Sequence, residues 1–250
     1  MFDKQKLKTA GVLFKYAFVI YRWLYFNFKN RKDHYNLQLL NTFIKPGFVV
    51  LDIGANIGFF SRFLSDKVGA TGHVYCFEPD AINFRHLKNE LKSKTNTTLL
   101  QKAVAAESGM LTLYTSNLLN VDHRTYKHDN YAEQHSIEKM AIDDYINNQF
   151  KVDLIKMDIQ GFEMEALKGM KKTLEANPNL ILFTEFWAYG LQQAGSSAME
   201  VFDFLTQLNF NVYRIDNAKL SVLTIENIKQ LKVDLFSDIN VLASRNTLHF

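Results

Sequence analysis

The chain has 250 residues, of which 47% are hydrophobic and 22% charged, so it is long enough to bury a full core in one α/β domain. With only 3 prolines and 11 glycines, no stretch resembles a linker or a low-complexity tract. The single cysteine, Cys76, excludes an intrachain disulfide and is typical of a reducing compartment. We therefore expect a cytoplasmic protein.

The positive charge is concentrated at the N-terminus. The chain carries +3 overall, but residues 1–32 contain eight Lys or Arg and one acid, Asp3, which leaves the remainder at −4. The basic residues flank and interrupt an aromatic, apolar stretch, AGVLFKYAFVIYRWLYFNF (10–28). Lys15 and Arg22 keep every charge-free run below the roughly 18 residues of a spanning helix. No small-residue cleavage pattern follows, so no secretory signal is expected.

This stretch is predicted to be helical and to pack on the domain. The alternative is an interfacial helix that brings residues 10–32 into peripheral contact with a membrane surface, with Trp23 and Tyr25 at the boundary. Nucleic-acid-binding motifs are missing from the sequence, so no nucleic-acid partner is expected. The oligomeric state stays open.

Strands and helices alternate after the N-terminal extension, residues 1–45, through a domain of residues 46–250. The predicted strands are Phe48–Ile53, His73–Phe77, Thr97–Ala105, Met110–Thr115, His135–Met140, Val152–Ile159, Leu180–Phe186, Phe210–Ile215 and Ile239–Ala243. The predicted helices are His34–Ile44, Gly58–Val68, Ala81–Lys92, Ile142–Ile146, Phe162–Glu175 and Ser197–Leu208. The polar segment Asn117–Gln134 is predicted to be a loop. This order predicts a mostly parallel sheet with helices on both faces and ligands at the carboxyl ends of its strands.

The loop after the first strand belongs to the stretch LDIGANIGFF (51–60). A dinucleotide loop has the spacing Gly-x-Gly-x-x-Gly, whereas Gly54 and Gly58 are separated by three residues. An anionic Asp52 and the amide of Asn56 suit a ligand with a cationic amino group better than a pyrophosphate. S-adenosylmethionine is such a ligand.

Glu78 ends the second predicted strand, where a carboxylate can accept both hydrogens of a ribose diol. Pro79 and Phe84 are candidates to flank the adenine. Nicotinamide enzymes use an acid in the same way, so Glu78 indicates an adenosine ligand without separating the two cofactors. A nicotinamide-dependent oxidoreductase therefore remains an alternative.

The motifs LDIGANIGFFS and VYCFEPD resemble the first two motifs of class I S-adenosylmethionine-dependent methyltransferases. The stretches KAVAAESGMLTLY, MAIDDYI, DLIKMDIQGFEMEALKGMKKTL and ILFTEF are similar to the FkbM methyltransferase family. The resemblance covers about Phe48 to Phe186 and implies a Rossmann-like class I fold with a seven-stranded, mostly parallel sheet. The implied product is S-adenosyl-L-homocysteine.

The expected cofactor contacts are Asp52, Gly54, Ala55, Asn56, Gly58, Phe59, Glu78, Pro79, Phe84, Ala103, Val104 and Asp158. The expected catalytic residues are Asp158, Glu163 and Glu185, because a hydroxyl acceptor benefits from a carboxylate base within hydrogen-bond reach. Glu163 could instead stabilise the N-terminus of its own helix, and Glu185 could form a strand-end ion pair. The family usually has Asp-x-Glu-Gly-x-Glu where this chain has Gln160 in the third position, so a carboxylate is replaced by an amide.

The resemblance implies O-methylation of a sugar or a glycan-like small molecule. Asn117–Gln134 and Glu185–Gly195 are expected to form the acceptor side of the cleft, with Trp187 and Tyr189 as candidates to stack on a sugar ring. No CxxC, HxH or HExxH pattern occurs and no metal is expected, with Mg²⁺ on Asp158 and Glu185 as the alternative. A weakly active docking protein that kept the fold is the non-enzyme alternative.

Overall fold

The computed structural model describes residues 4–116, 123–127, 131–217 and 219–248, with side chains from residue 9 onward. Its helices are α1 Lys4–Tyr16, α2 Phe18–Lys32, α3 His34–Phe43, α4 Phe59–Val68, α5 Ala81–Leu91, α6 Ile142–Ile146, α7 Glu163–Lys168, α8 Lys171–Ala176, α9 Ala188–Gln193, α10 Ala198–Gln207 and α11 Ile225–Lys229. Its strands are β1 Val49–Ile53, β2 His73–Phe77, β3 Thr97–Leu100, β4 Ala103–Val104, β5 Gly109–Ser116, β6 Tyr131–Met140, β7 Leu154–Met157, β8 Ile181–Phe186, β9 Asn211–Asp216, β10 Lys219–Val222 and β11 Ile239–Ser244.

The main sheet has the order β10-β9-β11-β8-β7-β1-β2-β3. Strands β3, β2, β1, β7 and β8 pair in parallel, whereas β11 is antiparallel to both β8 and β9. The predicted α/β fold with a mostly parallel sheet is confirmed, with eight strands rather than seven. The additional strand, β10, forms an antiparallel edge hairpin with β9.

Alternate residues of β1 face two different apolar layers. Leu51 and Ile53 lie in a buried cluster with α7, α8 and α10, whereas Val50 lies in a second cluster with α3, α4 and α5. Asp52 alternates with Leu51 and Ile53 and is fully buried, so it lies on the side of the sheet that α4 covers. The strand alternation thus places one charged side chain inside an otherwise apolar layer.

Three predicted boundaries differ from the structure. The strand predicted at Thr97–Ala105 is divided, because β3 ends the main sheet at Leu100 and β4 pairs with β6 in a second sheet of order β4-β6-β5. The helix predicted at Phe162–Glu175 is divided at Gly169, a poor helix former, into α7 and α8. Within the predicted loop Asn117–Gln134, residues 131–134 belong to β6, and residues 117–122 and 128–130 lie outside the described residues.

The N-terminal extension packs on the domain as predicted. The ring of Phe18 in α2 stacks on His86 of α5 with centroids 3.4 Å apart, and Phe26 meets Phe59 of α4 edge-on at 5.3 Å. Helix α3 is buried in the same apolar cluster as β1 and α4, through Leu39 and Leu40 among others. A domain boundary at residue 45 stays a prediction.

Candidate active site

The loop between β1 and α4 is folded onto the end of β2. The N–H groups of Gly54 and Ala55 both donate to the carbonyl of Phe77, at 3.0 and 2.9 Å, and the N–H of Asn56 donates to Glu78 Oε2 at 2.8 Å. Asn56 has a positive φ of 50°. The sequence predicts that Asp52–Gly58 and Glu78 lie at one edge of the sheet. In the structure, these backbone N–H donors join the loop to the end of β2 and to Glu78.

Gly54 is required by the neighbouring strand. Its φ is +79°, and a Cβ atom at this position would lie 2.0 Å from the carbonyl oxygen of Asp158. The end of β1 and the residue after β7 therefore approach so closely that no side chain fits between them. This contact holds Asp158 beside the loop.

Asp52 is held by two side chains. The hydroxyl of Ser61 in α4 donates to its Oδ2 at 2.5 Å, and Lys156 Nζ lies 3.2 Å from its Oδ1. Lys156 also donates to the carbonyl of Gly54 at 2.9 Å, and both charged side chains are almost completely buried. Asp52 and Lys156 are register partners on the parallel strands β1 and β7, so they project to the same face. The acid that the sequence suggests for a ligand ammonium thus has an internal cationic partner.

Glu78 is buried and fixed by backbone donors. Its Oε1 accepts from the N–H of Asp80 at 2.9 Å, and its Oε2 accepts from Asn56. Burial raises the pKa of Glu78 to about 7, against the two backbone hydrogen bonds and the attraction of Lys156. Asp80 caps α5 by accepting from the N–H groups of Ile82 and Asn83, which orients this segment of the chain.

The other expected cofactor contacts surround this corner. Gly58 and Phe59 begin α4 and are buried, Phe84 is buried in α5, and Pro79 is half-buried between Glu78 and Asp80. Ala103 and Val104 are buried in β4, which follows β3 in the chain and pairs with β6 in the second sheet. Their contact with a cofactor stays a prediction.

The turn after β7 brings together the side chains of Asp158 and Gln160. Gln160, in the left-handed region with φ +56°, donates from its amide to Asp158 Oδ1 at 2.9 Å. Burial works to raise the pKa of Asp158, but Lys156, Lys29 and the Gln160 amide outweigh it and lower the pKa. Asp158 is therefore ionised at neutral pH. A carboxylate at this position would repel the carboxylate of Asp158. The amide of Gln160 instead donates a hydrogen bond to it.

Glu163 holds the same turn from α7. Its Oε1 accepts from the N–H of Ile159 at 3.1 Å, whereas its buried Oε2 has no hydrogen-bond partner among the described residues. Burial raises the pKa of Glu163 to about 7. The turn also touches α9, since a Cβ atom on Gly161, with φ +100°, would lie 2.3 Å from the backbone of Gly190.

Glu185, near the end of β8, is coupled to a residue that sequence reasoning missed. Burial raises the pKa of Glu185 well above its usual range, and Asp158 and the hydrogen-bonded Asp238 raise it further. Asp238 directly precedes β11, and the antiparallel direction of β11 brings its start to the carboxyl edge of β8. The signal in the sequence was an acid at the start of a strand, which is informative only once that strand is known to be antiparallel.

Two further residues near the site come from unexpected parts of the chain. The side chain of Tyr25 in α2 is half-buried; withdrawal from water raises its pKa, and the nearby carboxylates of Asp158, Asp33 and Glu78 raise it further. The N-terminal extension therefore contributes to the wall of the site. Lys156 was visible in the motif KMDIQGFEMEALKG but carried no expectation, because its partner Asp52 lies over 100 residues earlier in the sequence.

On the expected acceptor side, two segments meet at Trp187. The guanidinium of Arg124 lies 4.8 Å from the centre of the Trp187 ring, and the Trp187 indole donates to the carbonyl of Asp234 at 3.0 Å. His123 Nε2 lies 3.9 Å from Asp80 Oδ1, which brings the same segment close to the start of α5. Trp187 is buried by these contacts rather than presented to a sugar, whereas Tyr189 is partly exposed.

The residues present fit S-adenosylmethionine. The carboxylates of Asp52, Glu78 and Asp158 suit an adenosine diol and cationic groups, and the unpartnered Glu163 Oε2 adds a buried acceptor nearby. The loop offers no glycine pattern for a pyrophosphate. Among the described residues, no three His, Cys, Asp or Glu side chains are grouped so that they could hold a metal ion.

Comparison with known proteins agrees with this geometry. Residues 52–234 match the family model of the methyltransferase FkbM domain. The chain is 25% identical over 186 residues to the 2-O-methyltransferase NoeI of Sinorhizobium fredii (strain NBRC 101917 / NGR234), covering 67% of this chain and 75% of that protein. A shorter match, 47% identical over 47 residues, covers 19% of this chain and 23% of the ribosomal RNA large subunit methyltransferase E of Wigglesworthia glossinidia brevipalpis.

The fold is also similar to a solved structure, an rRNA methylase from Streptococcus thermophilus. The TM-score is 0.51 at 13% sequence identity, over 84% of this chain and 94% of the other. At this identity the likeness shows the fold alone. The family match extends over most of the domain and includes the loop after β1, Glu78 and the turn after β7, which sets aside the nicotinamide alternative. The chain therefore belongs to the FkbM methyltransferase domain family and is an S-adenosyl-L-methionine-dependent methyltransferase.

Proposed function

We propose that this enzyme transfers the methyl group to a hydroxyl of a sugar or glycan-like acceptor. The observation that carries the proposal is the carboxylate Glu185, which is partly exposed at the end of β8 and whose pKa burial and neighbouring acids raise well above its usual range. A carboxylate whose pKa is raised by its surroundings is a stronger base towards a hydroxyl. The similarity to a 2-O-methyltransferase supports an oxygen acceptor.

We assign the roles of the acidic residues from their burial and their hydrogen-bond or ion-pair partners. Glu163 is buried and bonded to the turn, so we assign it to holding that turn rather than to the acceptor. Asp52 is buried against Lys156, so Asp158, ionised and partly exposed, is the better candidate for the amino group of the cofactor. Glu78 is the candidate for the ribose diol.

When bound, S-adenosyl-L-methionine supplies a methyl group made electrophilic by a sulfonium. The protein would hold the acceptor hydroxyl close to that methyl group. Glu185 lies beside Asp238, and we assign Glu185 as the carboxylate that takes the hydroxyl proton. In this assignment the proton of the acceptor hydroxyl would go to Glu185, while the bound cofactor would supply the methyl group and leave as S-adenosyl-L-homocysteine.

The test is methyl transfer from methyl-labelled cofactor to oligosaccharides, small hydroxyl compounds and ribosomal RNA, with the product located by mass spectrometry. We expect an O-methyl ether on a sugar. Glu185→Gln should lower kcat at least about 100-fold, as expected of a lost base, and leave the Kd for S-adenosylhomocysteine within about threefold. Glu165→Gln is the matched control, since Glu165 lies on α7 and pairs with Lys168.

Two results would overturn the proposal. Label found on RNA or on a nitrogen atom would show that the acceptor is not a hydroxyl of a sugar or glycan-like molecule. An unchanged kcat and pH profile for Glu185→Gln would remove Glu185 as the base.

A further inference from the structure

Helices α1 and α2, residues 4–32, form a hairpin that we call the basic hairpin, and one of its sides is packed on the domain. Phe14 and Phe18 contact the ring of His86, at 5.3 and 3.4 Å between centroids. Arg22 forms two hydrogen bonds to Glu90, Nε to Oε2 at 2.5 Å and Nη2 to Oε1 at 2.8 Å. These contacts fix which side of the hairpin faces outward.

The outward side is apolar. Seven large apolar side chains within residues 12–28 are between 45% and 81% exposed: Val12, Tyr16, Val19, Ile20, Trp23, Leu24 and Phe28. On α2 they recur at helical spacing on the side opposite the buried or half-buried Tyr21 and Tyr25. A surface of this kind on a monomer marks an interaction site.

The charged side chains of residues 4–32 are all positive. These residues include no Asp or Glu, and Lys15, Arg31 and Lys32 are exposed. Arg22 and Lys29 are instead paired with Glu90 and Asp33. The remainder of the chain is net negative, so attraction to an anionic surface would be confined to the hairpin.

We propose that the basic hairpin docks this enzyme on the surface of an anionic lipid bilayer, with α2 lying in the plane of the interface. Exposed apolar side chains with Trp and Tyr would enter the headgroup region, and Lys15, Arg31 and Lys32 would pair with lipid phosphates. No helix in the described part of the chain is long and apolar enough to cross a membrane. A second copy of the chain fits less well, because a two-fold contact would bring the same cations together.

Docking in this way would place the bilayer next to the active site. Tyr25 is on the domain side of α2, half-buried and near Asp158 and Glu78. The helix that would contact lipid therefore also walls the cofactor end of the site. This proposal does not depend on the identity of the acceptor, and its test needs neither cofactor nor acceptor.

The test is flotation of the full chain with vesicles of phosphatidylcholine, with and without phosphatidylglycerol. We expect binding that requires phosphatidylglycerol and weakens with salt. Ile20→Glu with Leu24→Glu should weaken binding at least about tenfold, because charged groups replace side chains that would be buried in the interface. Val233→Glu with Leu235→Glu changes two side chains that are 55% and 51% exposed elsewhere and should leave binding unchanged.

Tryptophan fluorescence gives a second readout on the unmodified protein. Trp23 is 64% exposed and Trp187 is buried, so a blue shift on adding vesicles would report burial of Trp23. Absence of both vesicle binding and a blue shift would overturn the proposal, as would equal loss of binding in the two double variants. A concentration-dependent dimer that the Ile20→Glu, Leu24→Glu variant dissolves would assign the surface to a second copy, and RNA binding lost in that variant would assign it to nucleic acid.

Discussion

The basic hairpin and the carboxyl edge of the sheet use charge in opposite ways. At the carboxyl edge, Glu78 and Glu163 are buried and Glu185 is half-buried, and withdrawal from water is the main cause that raises their pKa values. On the hairpin, Lys15, Arg31 and Lys32 remain in solvent. The comparison shows that the residue type alone does not predict the behaviour of a charge, since neighbours and burial decide it. Two lysines differ in the same way, because Lys156 is buried against Asp52 whereas Lys15 is exposed.

The largest loss of stability is expected when the buried cation of Lys156 is removed. Lys156→Met leaves the buried carboxylate of Asp52 without its cation, so the free energy of unfolding should fall by about 3–5 kcal/mol in urea titrations. The exposed Lys151→Met is the control and should change it by less than about 0.5 kcal/mol. Adding Asp52→Asn to Lys156→Met should recover part of the loss. A loss below about 1 kcal/mol would show that the pair is not an interior ion pair.

The next largest loss of stability is expected for Gly54→Ala. The methyl group would overlap the carbonyl of Asp158 in a left-handed conformation, so we expect a loss of at least about 3 kcal/mol in unfolding free energy and no measurable S-adenosylhomocysteine binding. Gly69 has a similar φ of +67° and nothing within 4 Å of a Cβ atom. Gly69→Ala therefore reports the cost of a backbone conformation that favours glycine without a steric overlap, roughly 1–3 kcal/mol. Equal losses in the two variants would mean that the contact with Asp158 contributes little.

The pH dependence of cofactor binding tests Glu78. Its pKa of about 7 means that its ionised fraction increases between about pH 6 and about pH 8, so affinity for S-adenosylhomocysteine should rise by up to about tenfold over that interval. The stability contribution has the opposite sign: the folded state holds this proton more tightly, so stability is lost as pH rises from the unfolded value through 7. Calorimetric titration of Glu78→Gln should show a flat profile, with the exposed Glu107→Gln as control. A rise that persists in Glu78→Gln would assign the titration to another group.

The smallest effect concerns the attachment of the hairpin. Arg22 and Arg62 both bond to Glu90, but only Arg22 belongs to the hairpin. Arg22→Met should weaken the attachment by about 1 kcal/mol, seen as faster hydrogen exchange of residues 18–32 with little change in the melting temperature. Arg62→Met should leave that exchange unchanged. Matching exchange rates in the two variants would show that aromatic packing alone holds the hairpin.

Much of the fold and part of the candidate site were predictable from local sequence. Strand and helix alternation, together with the loop after β1, predicted the sheet and its carboxyl edge, because these features depend on residues close together in the chain. Glu78 and Asp158 were predictable for the same reason, since each directly follows a short strand. The basic hairpin was visible as a run of Lys and Arg among aromatic residues.

The partners of these residues were decided by the tertiary structure. Asp52 meets Lys156 because β1 and β7 are adjacent and in register, and Asp238 meets Glu185 because β11 runs antiparallel to β8. Tyr25 reaches the site only after α2 folds over α4 and α5, and β4 leaves the main sheet to pair with β6. The sequence by itself determined which chemical groups stand at the strand ends. Strand order and register then determined which charges are buried together, since those contacts join residues far apart in the chain.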